Sequence, residues 1–446
     1  MADKRRVVVT GLGVATPIGL GIEAFWDGLT QRRCGIAPVR AFDASGFEAR
    51  IAGELPAFQL GDYIPKAYRK SAKVMSRDII IAVVCAYHAV KDAGLRTRCL
   101  IERDEVAGPA NFDATRFGAN IGAGLVCADL AELSSAFATA VDADGSFSFK
   151  KWGGDGMTNL TPLWLLKFLP NMLACHVTIV HDAQGPSNTI TCGEASSHLA
   201  IGEAFRTIAR GDVDVCVCGG AESWVNPIAF ARSQLIARQC KDPDVAPAEA
   251  LRPFGADRSG LVASDGGGLV ILESLEHARS RSARIYAELV GFGAATDVKN
   301  WTEPDPQGEA LSQAMRAALR DAGVEPARLD LAVPAGVGTR AHDAMEMAAW
   351  NRVLGDRLPS ATAIATRGAI GVCGAGAGAI DFAAMVMAVH RGAAPHSRGT
   401  TNPDRASRFR FVEADVVDVR AGCAMSTGYS LAGGQTAALV VKRFEG

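Results

Sequence analysis

The chain has few of the sequence features that mark metal, redox or membrane proteins. It has 8 histidines and 11 cysteines, but no C-x-x-C and no H-E-x-x-H spacing, so the sequence predicts no metal site. The longest apolar run of a helical stretch, residues 79–87, is about half of a membrane span. The opening MADKRRVVVTG is charged and lacks an apolar signal segment. We therefore expect a cytoplasmic protein with no metal and no membrane contact.

An excess of charge of one sign is also lacking. Lysine and arginine total 46 against 48 aspartates and glutamates, spread evenly, so no nucleic-acid partner is expected. Hydrophobic residues make up 48% and charged residues 21%, as in an ordinary globular chain. At about 150 residues per domain, the length of 446 predicts about three units, or two large halves that share one core.

The dinucleotide-binding fingerprint is incomplete. Thr10-Gly11-Leu12-Gly13 follows a predicted strand over residues 6–10, but Thr16 stands where the third glycine of G-x-G-x-x-G would fall. We therefore interpret residues 11–13 as a tight turn after the first strand, and we expect no nucleotide cofactor.

Strand and helix signals alternate along the chain, which predicts an α/β protein with mostly buried parallel strands. Two segments, 192–197 and 373–378, resemble each other. Both place small residues at a sharp turn, and both continue into a helix that ends in Arg-Gly. This repetition predicts a duplicated α/β half, with one half over residues 1–276 and the other over residues 284–446.

Several motifs carry a resemblance to a known family. They are RRVVVTGLGVATPIG at the start, GPSNTITCGEASSHLAIG at 185–202, RPFGADRSGLVASDGGG at 252–268 and TNPD at 401–404. Through them the chain resembles the β-ketoacyl synthase (condensing-enzyme) family over nearly its whole length. The resemblance implies a thiolase-like fold, a five-layered αβαβα arrangement of two pseudo-symmetric halves. It also implies no cofactor of the chain itself, since the substrate is carried on phosphopantetheine.

The residues that the family uses for catalysis are missing. Aligned on those motifs, Glu194 stands in place of the nucleophilic cysteine, and Ala335 and Val372 stand in place of the two histidines. Condensation needs a thiolate that carries the acyl chain and imidazoles that drive decarboxylation. We therefore expect no catalytic residues and no condensing activity of this chain alone. Cys192 is interpreted as part of the core and not as a displaced nucleophile.

The triple loss resembles the chain-length factor of type II polyketide synthases, the silent partner of an active ketosynthase. The resemblance implies a heterodimer with that ketosynthase, to which an acyl carrier protein delivers the substrate. The alternatives are a malonyl-carrier-protein decarboxylase, a β-ketoacyl synthase with non-standard active-site residues, and a structural homodimer. For Glu194, a structural carboxylate at a helix N-terminus is preferred over a general base, because it has no partner in the sequence pattern.

The resemblance places a substrate tunnel and a dimer interface at residues 122–133. By helical spacing, Leu125, Ala128, Asp129 and Leu133 share one face, and we expect them to limit the length of the product. Leu125 and Leu133 are equally compatible with ordinary interface core. Residues 142–169 are expected to cover the dimer surface too.

Overall fold

A computed structural model describes residues 5–236, 238–413 and 416–446, so residues 1–4 of the predicted first half lie outside the described part. The strands are β1 (Val7–Thr16), β2 (Gly19–Leu20), β3 (Ile36–Pro38), β4 (Ile51–Gly53), β5 (Phe117–Ala123), β6 (Ser187–Ile190), β7 (Val215–Ser223), β8 (Asp265–Ser274), β9 (Ala287–Asp297), β10 (Leu331–Val333), β11 (Thr362–Ala363), β12 (Ala393–Ala394), β13 (Arg410–Phe411), β14 (Val417–Asp418), β15 (Cys423–Tyr429) and β16 (Gly434–Arg443). The α-helices are α1 (Ile22–Thr30), α2 (Arg77–Asp92), α3 (Arg98–Glu102), α4 (Leu130–Thr139), α5 (Phe149–Lys151), α6 (Met172–His181), α7 (Ser196–Ala209), α8 (Pro227–Leu235), α9 (Leu275–Ser280), α10 (Glu309–Ala322), α11 (Arg340–Leu354), α12 (Arg367–Ile370) and α13 (Ala377–Arg391).

Two sets of five strands have the same topology. The first set runs in the order β6-β5-β7-β8-β1 and the second in the order β11-β10-β15-β16-β9. In each set the first three strands are parallel to one another. The fourth strand pairs antiparallel with the third, and the fifth pairs antiparallel with the fourth. The sets meet where β1 pairs with β9 through Val7, Val8 and Val9. Two halves of the same design are therefore confirmed.

Helices α7 and α13 lie between the two sets of strands. Helix α7 packs on β5 and β7, α13 packs on β8 and β15, and the two helices contact each other. Every residue of α13 from Ala377 to Val389 is buried, because most of its side chains are small or apolar and its one buried charge, Asp381, pairs with Arg367. Helix α2 packs on β1, and α10 packs on β9, at the outside. This is the thiolase-like αβαβα arrangement that the resemblance implied.

Gly11 and Gly13 lie inside β1, so the predicted tight turn at these residues is wrong. A Cβ atom on Gly13 would lie 2.1 Å from the carbonyl oxygen of Cys85 in α2. The second half repeats this arrangement. Cβ atoms added to Gly291 and Gly293 of β9 would come similarly close to carbonyl oxygens of α10. The glycines therefore permit close packing of a helix on a strand, and they form no loop around a phosphate.

The predicted helical face over residues 125–133 is also wrong. Helix α4 begins only at Leu130, because the side chain of Asp129 accepts a hydrogen bond from the Ala131 amide and caps the helix there. Leu125 and Ala128 precede the helix and do not follow its periodicity. Leu133 is buried on the helix, whereas Leu125 is 65% exposed.

Candidate active site

A cavity of about 720 Å³ opens beside the short 3₁₀ turn that leads into α7. Glu194 of that turn and Glu222 of β7 lie in its wall, together with Trp224 and with Arg232 of α8. The remaining wall is largely apolar and includes Leu125, Ile236, Leu261, Trp301 and Leu431. Three glutamates and two arginines, with Glu303 and Arg238 among them, therefore line one mostly apolar cavity.

Glu194 accepts a hydrogen bond from the amide of Leu431, at 2.8 Å, on the turn between β15 and β16. The first turn of α7 has no side-chain cap, so Glu194 does not cap that helix. Burial raises the pKa of Glu194, while the Leu431 amide and the charges of Arg238 and Arg232 oppose that rise. The carboxyl group therefore keeps its proton to a higher pH than an exposed glutamate does.

Glu222 is the functional candidate that the sequence analysis missed. Its Oε2 atom accepts a hydrogen bond from the Ala375 amide, at 2.7 Å, in the turn that precedes α13. Burial raises the pKa of Glu222 to about 8, and the nearby carboxyl groups of Asp78 and Glu194 add to the effect. A charged residue inside an otherwise apolar strand was the available signal, since such a residue is rarely buried without a role.

Ala335 and Val372 do not line the cavity, because both side chains are buried in a hydrophobic cluster that includes Phe254. The backbone amides of residues 335 and 336 donate to Glu346, and those of 337 and 338 donate to Asp343. These buried carboxyl groups fix the loop that carries Ala335. The side chains of Ala335 and Val372 offer neither a hydrogen-bond donor nor a base.

His342 and Cys192 lie near the cavity without lining it. The Nε2 atom of His342 is 3.0 Å from the Leu431 carbonyl oxygen, and burial lowers the pKa of this imidazole to about 4. Cys192 is half-buried at the start of the turn, so its interpretation as a core residue is wrong. Burial raises the pKa of its thiol, which disfavours the thiolate.

The structure places the four predicted tunnel residues in three different environments. Leu125 lines the cavity of Glu194, whereas Ala128 and Asp129 line a second cavity of about 660 Å³. Leu133 is buried in α4 and lines neither of these two cavities. A role of these residues in setting product length stays a prediction.

Within the part of the chain that the structure describes, no three potential ligands are grouped so that they could hold a metal ion. Over the same residues, no helix combines the length and the apolar character needed to cross a bilayer.

Family models match most of the chain. Residues 4–278 match the N-terminal domain of β-ketoacyl synthases, and residues 286–401 match their C-terminal domain. The chain is 32% identical over 447 aligned residues to 3-oxoacyl-[acyl-carrier-protein] synthase 2 of Synechocystis sp., covering 99% of each chain. It is 30% identical over 445 aligned residues to the protein of the same name from Staphylococcus aureus, covering all of both chains.

Solved structures are similar over the same extent. A β-ketoacyl synthase from Burkholderia phymatum superimposes with a TM-score of 0.85 at 25% identity, covering 99% of this chain and 100% of the other. The ishigamide ketosynthase/chain length factor superimposes with a TM-score of 0.82 at 28% identity, again covering 99% and 100%.

These relatives correct two expectations about activity. The chain was expected to be a catalytically silent chain-length factor and a non-catalytic subunit, but the curated relatives it matches over full length are named as 3-oxoacyl-carrier-protein synthases, which are enzymes. Both expectations are therefore wrong. The physical reason is that the loss of a thiol excludes an acyl-cysteine intermediate, whereas other steps on thioesters need no covalent bond to the protein.

Proposed function

This chain belongs to the β-ketoacyl synthase family, and on that premise we propose that it is a β-ketoacyl synthase with non-standard active-site residues. Its substrates are acyl and malonyl thioesters on an acyl carrier protein. One observation carries the proposal: Glu194, at the position of the nucleophile, presents a half-buried carboxyl group to a cavity of about 720 Å³ and accepts a hydrogen bond from a backbone amide. That arrangement is suited to proton transfer.

Decarboxylation of a malonyl thioester is the step that these residues can serve without a thiol. The bond between the α-carbon and the carboxylate breaks, carbon dioxide leaves, and the electron pair forms the enolate of an acetyl thioester. Glu194 then gives its proton to the enolate carbon and regains one from solvent through the cavity. The Leu431 amide, released when the Glu194 side chain turns to the substrate, donates to the enolate oxygen.

Condensation follows from the same enolate when an acyl thioester is present. The enolate carbon attacks the thioester carbonyl carbon, a carbon–carbon bond forms, and the carrier thiolate leaves and takes up the proton of Glu194. The acyl group passes directly between carrier proteins, so no acyl-enzyme is formed. When no acyl thioester is present, the reaction ends at decarboxylation, and the protein then acts as a malonyl decarboxylase.

The test is the substitution Glu194→Gln, which removes the proton and keeps an acceptor for the Leu431 amide. We expect the release of carbon dioxide from malonyl-carrier protein to fall about 10²-fold or more, with the fold unchanged by circular dichroism. Glu203→Gln is the matched control, because Glu203 lies on α7, the helix that follows the Glu194 turn, and is 41% exposed beside Arg210. A wild-type protein that releases no carbon dioxide, or a Glu194→Gln variant as fast as wild type, would refute the proposal.

We also propose that the chain works in the cytosol as a heterodimer with an active ketosynthase. Apolar side chains exposed on residues 125–165 support this proposal, because a surface of this kind needs a partner. They are Leu125, Leu130, Phe137, Val141, Phe147, Phe149, Met157, Leu163 and Leu165. The name of the ishigamide ketosynthase/chain length factor describes a pair of such chains, and the arrangement is proposed here by similarity.

Product length is proposed to depend on two separate places. Leu125 narrows the cavity of Glu194, and Ala128 with Asp129 shapes the second cavity, while Leu133 holds α4 in position.

A further inference from the structure

The wall of the Glu194 cavity holds two hydrogen-bond donor groups, the indole of Trp224 and the guanidinium group of Arg232, that are not fully engaged by the residues around them. The indole N–H of Trp224, which is only 7% exposed, lies beside the Glu222 carboxyl group without reaching it at good hydrogen-bond geometry, and this weak contact opposes the rise of the Glu222 pKa only in part. The guanidinium group of Arg232 lies 3.8 Å from the Glu222 carboxyl group, which is too far for a good hydrogen bond. Both donors line the cavity.

The two donors lie close together. The Cζ atom of Arg232 is 5.9 Å from the centre of the Trp224 ring, so its guanidinium group and the indole N–H can reach one ligand group. A guanidinium group is always charged in proteins, whereas burial raises the pKa of Glu222 to about 8 and keeps it mostly protonated at neutral pH. The charge of Arg232 is therefore left without a full counter-charge from Glu222.

We propose that Arg232 and Trp224 form a carboxylate subsite, which selects acyl thioesters whose acyl chain ends in a carboxylate. A carboxylate accepts two parallel hydrogen bonds from a guanidinium group, and the indole N–H supplies a third donor. Without such a ligand, the buried indole N–H lacks a good acceptor, which costs stability, and the part-exposed guanidinium group of Arg232 is left to solvent.

The subsite rests on the proposed function in one respect, namely that a thioester enters this cavity. An ion pair with arginine stabilises a carboxylate against loss as carbon dioxide. The subsite therefore suits the far end of a dicarboxylic acyl chain, and not the malonyl carboxylate that leaves in the decarboxylation step.

The experiment compares two probes of equal size. They are S-glutaryl-N-acetylcysteamine, which carries a carboxylate, and its terminal carboxamide analogue, which is neutral. Binding to the full chain is measured at neutral pH by calorimetry, and by the fluorescence of Trp224 and Trp301 in the cavity wall. We expect the wild type to bind the carboxylate probe at least about tenfold more tightly than the carboxamide probe.

Variants assign that preference to residues. Arg232→Met should bind both probes equally, and Arg232→Lys should keep part of the preference, because lysine keeps the charge without the planar fork. Arg238→Met is the matched control, because Arg238 lines the same cavity but its guanidinium already donates to the Thr302 carbonyl oxygen. It should retain the preference.

Equal binding of both probes to wild type, or an undiminished preference in Arg232→Met, would overturn the subsite. The readout needs neither a carrier protein nor turnover. A protein that binds with the expected preference but releases no carbon dioxide would retain the subsite and refute the proposed function. A protein that releases carbon dioxide but binds both probes equally would refute the subsite and retain the proposed function.

Discussion

Burial dominates the proton affinity of Glu194 and Glu222 at the scale of single residues. Each carboxyl group accepts one backbone amide, from Leu431 and Ala375 respectively, and this bond opposes the effect of burial only in part. A carboxyl group whose pKa is raised by burial can donate a proton at a higher pH than an exposed glutamate can. The chemistry proposed for the cavity depends on this difference.

Glu222→Gln should change how the stability of the protein depends on pH. Because the pKa of Glu222 is raised from 4.5 to about 8 in the fold, the folded state holds its proton after the unfolded chain has lost it. Its contribution to the free energy of unfolding therefore falls as the pH rises between these two values, by roughly 1.4 kcal/mol for each pH unit. Glutamine does not titrate, so the variant should lose less stability over this range.

The measurement is urea unfolding of both proteins at several pH values between about 5 and 8, inside the range where the unfolded chain has lost the proton and the fold has not. Asp78 and Asp343 also have pKa values that burial raises to about 7, so the variant should keep a slope of the same sign. Identical slopes for the two proteins would show that Glu222 is ionised in the fold.

The turns before α7 and α13 are equivalent elements that use carboxyl groups differently. Both begin with a glycine of positive φ, +56° at Gly193 and +48° at Gly374. In the first turn the carboxyl group belongs to the turn itself, at Glu194. In the second turn it reaches in from β7, where a Cβ atom on Gly374 would lie only 1.9 Å from the Glu222 Oε2 atom. Both acids therefore belong to the first half, and the second half contributes the Ala375 amide that holds Glu222 in the cavity wall.

Gly13→Ala should destabilise the packing of α2 on β1. The added methyl group would lie 2.1 Å from the Cys85 carbonyl oxygen, so the helix must move away from the strand. We expect a loss of about 1–3 kcal/mol in the free energy of unfolding, measured with denaturant. Gly46→Ala is the matched control, since its new methyl group would have no heavy atom within 4 Å. Equal stabilities of the two variants would contradict the close packing seen at β1.

The apolar surface of residues 125–165 is the feature that matters at the scale of the whole molecule. Phe149 is 84% exposed and Leu163 is 67% exposed, although side chains of this kind are usually buried. Ring contacts join Phe149 to Phe147, and Phe147 to Phe137 and Trp152, so these four rings form one cluster within the patch. Such a cluster favours the association proposed with a second chain.

The double substitution Phe149→Asp with Leu163→Asp should weaken that association at least about tenfold, because it places two charges in an apolar contact. Size-exclusion chromatography with light scattering, after co-expression with an active ketosynthase, measures the loss of the complex. Val298→Asp is the matched control, since Val298 is 86% exposed and lies outside this surface. If the double variant forms the complex as wild type does, the partner binds elsewhere.

The sequence alone determined the α/β class, the duplication of the halves and the family, because these depend on local periodicity and on short motifs. It also located Glu194, Ala335 and Val372 as the positions where the family's catalytic residues are lost. It led to a wrong conclusion about activity, since missing residues do not show which others take over. The division at residues 276 and 284 stays a prediction.

Only the tertiary structure brought Glu222 and Arg232 into one cavity with Glu194. These residues come from β7, α8 and the turn before α7, and no spacing in the sequence relates them. The same holds for Gly13. A side chain is excluded at this position by the helix that carries Cys85, which lies far from Gly13 in the sequence. Local patterns determine which elements form, whereas side-chain environment, and with it proton affinity, depends on contacts between distant elements.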